Sequence, residues 1–299
     1  VSGGKHRILV ITGTLLLFFI LAGLGTAAFT AGQAKERFNR ERVIFAMEDP
    51  AGDDYGPGTY EYPTDSIFDP KKEHFDLHEF SVSTLRNTYY FDLLFPRVTN
   101  PWGASEGFSH AMVQVYISDD PDRGRIETFR EGANVIFDPR HPWQYFIKVV
   151  SFNKTAVYYA DDYEGAEGRD SGVTARLQPD GSTVRVTIPK ALLPGDPSNW
   201  QYYVLVGSQD GLGPDNFRKV NTTANRWVFG GGTDTDYDPN VIDLLASRGK
   251  QKKLLGSYDA SRRQLAVIEP VGPSKIAPTR WENILDKVIV FLQKMKVKL

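Results

Sequence analysis

Between residues 43 and 269 the hydrophobic positions recur in short runs at every second residue, separated by clusters of Gly, Pro, Asn and Asp. In "TYYFDLLF", Tyr89, Phe91, Leu93 and Phe95 share one face; in "STVRVTI", Val184, Val186 and Ile188 oppose Thr183, Arg185 and Thr187. Alternation of this kind marks strands buried on one side. The runs "EFSVSTL", "AMVQVYI", "ANVIF", "QYFIKVV", "TAVYYA", "VTARL", "QYYVLVGS" and "QLAVI" read the same way. With no sustained 3.6-residue period between them, they predict an all-β, two-sheet β-sandwich. One short helix is expected over residues 240–246, with Pro239 in its first turn and Asp238 as its cap.

The pattern changes at both ends. Residues 8–32, "ILVITGTLLLFFILAGLGTAAFTAG", carry no charge, and at 1.5 Å per residue they exceed the roughly 30 Å of a bilayer core. The segment reads as a transmembrane helix following a short flank, 1–7; the rival reading is a signal peptide cleaved near Thr26-Ala27-Ala28. Gly23, Ala27 and Ala31 are spaced four apart, the small-residue face on which membrane helices pack closely. Residues 33–42 form a charged stalk. Their basic residues outnumber Lys5 and Arg7, which on the flanks alone favours a cytoplasmic body; the extracytoplasmic placement expected here rests on the character of the domain.

At the other end, 270–299, Thr279 and Glu282 make a capping box after Pro278. Trp281, Leu285, Val288, Leu292 and Met295 then follow at spacings of four and three, an apolar seam for a membrane surface, a partner helix or the chain's own sandwich. Either flanking helix offers a contact for protein partners.

Composition narrows the chemistry. The chain has 299 residues and a formal net charge of −2, with no cysteine. Near-neutrality removes the electrostatic footprint that nucleic acid requires, and the missing thiols exclude disulfides, Cys-rich zinc sites and a Cys nucleophile. No GxSxG, Walker or GxGxxG pattern occurs in a suitable context, so no enzyme activity is expected.

The densest chemistry lies in residues 48–65, "EDPAGDDYGPGTYEYPTD", with six carboxylates and three glycines. Asp49, Asp53 and Asp54 suit a structural Ca2+ site, whose oxygen ligands a Gly-rich loop can gather; the competing reading is Asp side chains capping turns. "DTDYDPN" imitates the start of an EF-hand, but Pro239 and Leu245 stand where glycine and glutamate belong. His74 and His78 have zinc-like spacing only on a helix, and His110 with Met112 on one strand face would suit haem.

The strings "DPAGDDYGPGTYEYPT", "HFDLHEFSV", "NPWGASEGFSHAMVQVYI", "LVGSQDGLGPDNFRKV", "WVFGGG" and "PNVIDLL" occur in order, and together they resemble the C-terminal binding module of glucodextranase, a DOMON-like β-sandwich related to carbohydrate-binding modules. The resemblance spans about 43–269. It implies a non-catalytic cell-surface role, binding to polysaccharide or surface-layer glycan, and Asp76 and Asp210 as further calcium ligands. Among the tryptophans, Trp102 and Trp143 are the candidates for sugar stacking, against the alternative of core positions. The expected function is a membrane-anchored accessory or structural subunit of a surface assembly. The alternatives are a carbohydrate-binding surface protein acting alone, a haem-binding redox subunit and a pilin-like filament subunit.

Overall fold

The computed structural model describes residues 40–129, 132–210, 213–233 and 237–272. The expected span at 8–32 with Gly23, Ala27 and Ala31, and the C-terminal helix with Trp281, Leu285, Val288, Leu292 and Met295, lie outside the described residues, as do Asp234 and Asp236. No helix among the described residues is long and apolar enough to cross a membrane.

The strands follow in chain order: β1 (Arg42–Glu48), β2 (Glu79–Leu85), β3 (Thr88–Leu94), β4 (Ala111–Ser118), β5 (Val135–Phe137), β6 (Tyr145–Val149) and β7 (Ala156–Tyr159). After these come β8 (Thr174–Leu177), β9 (Thr183–Pro189), β10 (Gln201–Asp210), β11 (Gly213–Phe217), β12 (Asp243–Leu244) and, past helix α1 (Lys250–Leu255), β13 (Ala266–Ile268). One antiparallel sheet has the order β1-β2-β3-β9-β8. The second runs β11-β10-β4-β6-β7, with β12 also on β10, and β13 pairs with β5 in parallel as a separate ribbon.

The two large sheets differ in what covers them. In β3 and β9 buried and part-exposed residues alternate strictly, because only the inner face of this sheet is packed. That face carries Phe80, Val82, Phe91, Leu93, Val184 and Val186, which meet Val113, Val115, Ile147, Val204 and Val206 of the second sheet. The second sheet is buried on both sides: Met112, Tyr116, Phe146, Tyr203 and Leu205 on its outer face pack with Phe129, Phe137, Trp143, Leu255 and Ile268 from the covering loops, the ribbon and α1. Its strands therefore read as nearly continuous apolar runs, in β6 and β10 above all.

The helix expected over 240–246 does not form. Ile242 and Leu245 donate from their amides to Val206 and Val204 of β10 at 2.9 and 3.1 Å, and the segment extends along that strand as β12. Pairing with β10 places the segment between two cores: Val241 through Ala246 are all buried, with Ile242 and Leu245 in one core and Val241, Leu244 and Ala246 in the other. Asp238 instead accepts from the Thr233 amide at 2.8 Å.

Candidate functional site

Two clusters carry the polar chemistry, one between the loop after β1 and β12 and the other at the C-terminal end of β10. The first forms where the loop after β1 crosses β12. The Asp49 amide donates to the His78 carbonyl at 2.9 Å, and one Asp49 carboxylate oxygen accepts from the Ala246 amide at 2.8 Å. Both oxygens of Asp76 accept from the Gly52 amide, at 3.0 and 2.9 Å, which holds the turn that presents Asp53. Gln251 of α1 accepts from the Leu244 amide at 2.7 Å and donates to the Asp53 carbonyl. The result brings carboxylate oxygens of Asp49, Asp53 and Asp243 within 4.8 Å of one another.

Burial dominates the electrostatics here. It pushes Asp49 up to about 8, helped by Asp53 and Asp76, and Asp53 up to about 6, helped by Asp76. Asp243 is raised well above the carboxylate range by burial and by Asp49, since a low-dielectric site disfavours charge and crowded like charges add to the penalty.

Of the residues expected at this site, Asp49 and Asp53 converge. Asp54 stands apart, buried and accepting from the Tyr62 hydroxyl; burial raises it to about 6. Asp76 is engaged with Gly52 and with His78 Nε2 at 3.0 Å. Asp210 lies at the far end of β10, in the second cluster. Asp243 escaped the sequence reading. Its signal was visible in "PNVIDLL": one acid inside a run of residues otherwise suited to a core.

The second cluster is an open cleft of about 570 Å³ lined by Trp102, Trp227, Asp210, Arg218, Lys219 and Asn221, a volume typical of small-ligand sites. Trp227 is 40 % exposed. Asn225 accepts from the Trp227 and Val228 amides at 2.9 and 3.0 Å. Arg218 donates to the carbonyls of Trp227 and Gln209, both at 2.8 Å, and lies over the Phe68 ring; burial lowers its pKa, opposed by Asp210. Trp227 also meets Phe68 edge-on at 6.0 Å. Trp102 meets His110 at 5.5 Å.

Trp143 has no such face to offer. It is fully buried among Tyr116, Phe129 and Phe146, with its indole N–H on the Glu127 carbonyl at 2.8 Å. Trp200 is fully buried as well.

Among the described residues, His74 and His78 do not converge on a common point. His74 turns to Thr99 and to His110, its ring 4.9 Å away, while His78 faces Asp76. His110 packs on Phe68 and Phe75 of the inner core and Met112 belongs to the outer one, so the two do not face a common haem. Burial drives His74 down to about 4 and His110 down to about 3. Because the folded values lie below the unfolded value near ~6.5, the contribution of this pair is complete above that pH and is lost as pH falls towards 4 and then 3. Both imidazoles are expected to show neutral Cε1–H shifts by NMR at pH 5; a protonated signal for either contradicts this.

A two-sheet sandwich with an aromatic-lined cleft among its loops has the architecture of a binding module. A family model described as the C-terminal binding module, SLH-like, of glucodextranase matches residues 44–270, and the chain belongs to this family. No curated protein matches the chain.

Proposed function

We propose that the chain is a membrane-anchored, non-catalytic module displayed outside the cytoplasm, which binds polysaccharide or surface-layer glycan in the Trp102–Trp227 cleft as an accessory subunit of a surface assembly. The family is one of binding modules, and the observation that carries the reading to a site is the cleft itself. An exposed indole beside carboxylate, amide and cationic groups matches what a pyranose presents: an apolar C–H face for stacking and hydroxyls at its rim for hydrogen bonds. The uncharged run at 8–32 supplies the anchor. A DOMON-like relation of the sandwich fits the same ancestry.

Co-sedimentation of the full chain in detergent with insoluble polysaccharides and isolated cell-surface glycan tests this. Trp227→Ala and Trp102→Ala are each expected to weaken the apparent affinity about 2–10-fold, the loss of one stacking contact of roughly 0.5–1.5 kcal/mol. Retention of binding in both variants, or no binding by the parent chain, overturns the reading.

A further inference from the structure

We propose that Asp49, Asp53 and Asp243 form a calcium site that fastens the loop after β1 to β12. Oxygens of all three carboxylates lie within 4.8 Å of one another, the separation expected of ligands around one ion with bonds of about 2.3–2.6 Å. A second observation points to a ligand independently of that crowding. Asp49 is only 7 % exposed, yet its second carboxylate oxygen is buried without a hydrogen-bond partner, and so is one oxygen of Asp53. A buried unpaired carboxylate oxygen is costly, and here two occur in one cluster.

Asp243, wholly buried, already accepts from the amides of Leu77 at 2.6 Å and Leu244 at 2.8 Å, so it is held in place with acceptor capacity left on both oxygens. An all-oxygen set without His or Cys selects a hard cation over zinc or copper. Calcium is favoured over magnesium because two of the donors come from an irregular loop, and the octahedral, water-rich shell of magnesium suits a buried cluster poorly. The role follows from connectivity: residues 49 and 53 precede the first sheet's β2, residue 243 lies on the second sheet, and the ion joins them.

The test uses the purified full chain, stripped with EDTA and titrated with CaCl2. Saturable one-to-one binding by calorimetry is expected, together with a rise in Tm of about 5–10 °C at a hundredfold excess over Kd. Asp243→Asn is expected to weaken binding at least about tenfold. Asp53→Asn, at a half-buried position that leaves the fold intact by circular dichroism, is expected to do the same, while Asp210→Asn keeps the parent affinity. No binding up to about 10 mM Ca2+, a range that covers weak extracellular sites, or parent affinity in Asp53→Asn, overturns the proposal.

Discussion

Trp143→Ala is expected to destabilise the protein by about 3–5 kcal/mol, the range for deleting a large aromatic side chain from a packed core. The ring touches Tyr116, Phe129 and Phe146 and its N–H is satisfied by the Glu127 carbonyl. Truncation leaves a cavity in the outer core and an unsatisfied carbonyl beside it. In a domain of this size that corresponds to a fall in Tm of roughly 10 °C. Trp227→Ala, by contrast, removes a ring that is 40 % exposed and is expected to cost about 1 kcal/mol or less while impairing glycan binding. Urea denaturation of the two variants side by side checks the contrast; equal stability losses would mean that the two tryptophans are not divided between core and cleft.

The second large effect is expected at Gly231. Its φ is +82°, and a Cβ there would collide with the Thr59 carbonyl. The left-handed backbone costs a side-chain-bearing residue about 1–2 kcal/mol, and forcing the turn at Thr59 away adds about 1–3 kcal/mol, so Gly231→Ala should lose roughly 2–5 kcal/mol. It also disturbs the Glu61–Gly230 bridge, whose amides and carbonyls pair at 2.9 Å in both directions and tie the acidic loop to the Trp227 turn. Gly103 supplies the comparison: its φ is +67° but nothing lies near its Cβ position, so Gly103→Ala should show the backbone cost alone. Similar denaturation midpoints for the two variants would remove the collision from the account.

These glycines show why the sequence was readable in some places and not in others. The strands of the first sheet were legible because only one face is packed, so buried Tyr89, Phe91 and Leu93 alternate with part-exposed neighbours. Strands of the doubly covered sheet were legible from apolar runs bounded by turn residues, but the cover itself was not: β5 and β13 pair across more than a hundred residues, and local pattern carries no information about such a partner. At 240–246 the capping chemistry of Asp238-Pro239 suggested a helix, and pairing with β10 prevailed because every side chain in the segment is buried. The same blindness hid Asp243. The acidic loop announced itself by composition, whereas the residue that meets Asp49 and Asp53 comes from almost two hundred positions away. For the cleft, sequence singled out Trp102 and Trp143 together; only packing separates a ring that lines an opening from one sealed between aromatic neighbours.

The central claim, glycan binding in the Trp102–Trp227 cleft, is tested most directly by 19F NMR of the full chain labelled with 5-fluorotryptophan. Five resonances are expected from the five tryptophans, each assignable by a single Trp→Phe substitution. On titration with a soluble oligosaccharide recovered from the bound glycan, the signals of Trp102 and Trp227 should shift saturably while those of Trp143 and Trp200 hold still. Shifts confined to other tryptophans, or no shift at concentrations that saturate co-sedimentation, would contradict the account.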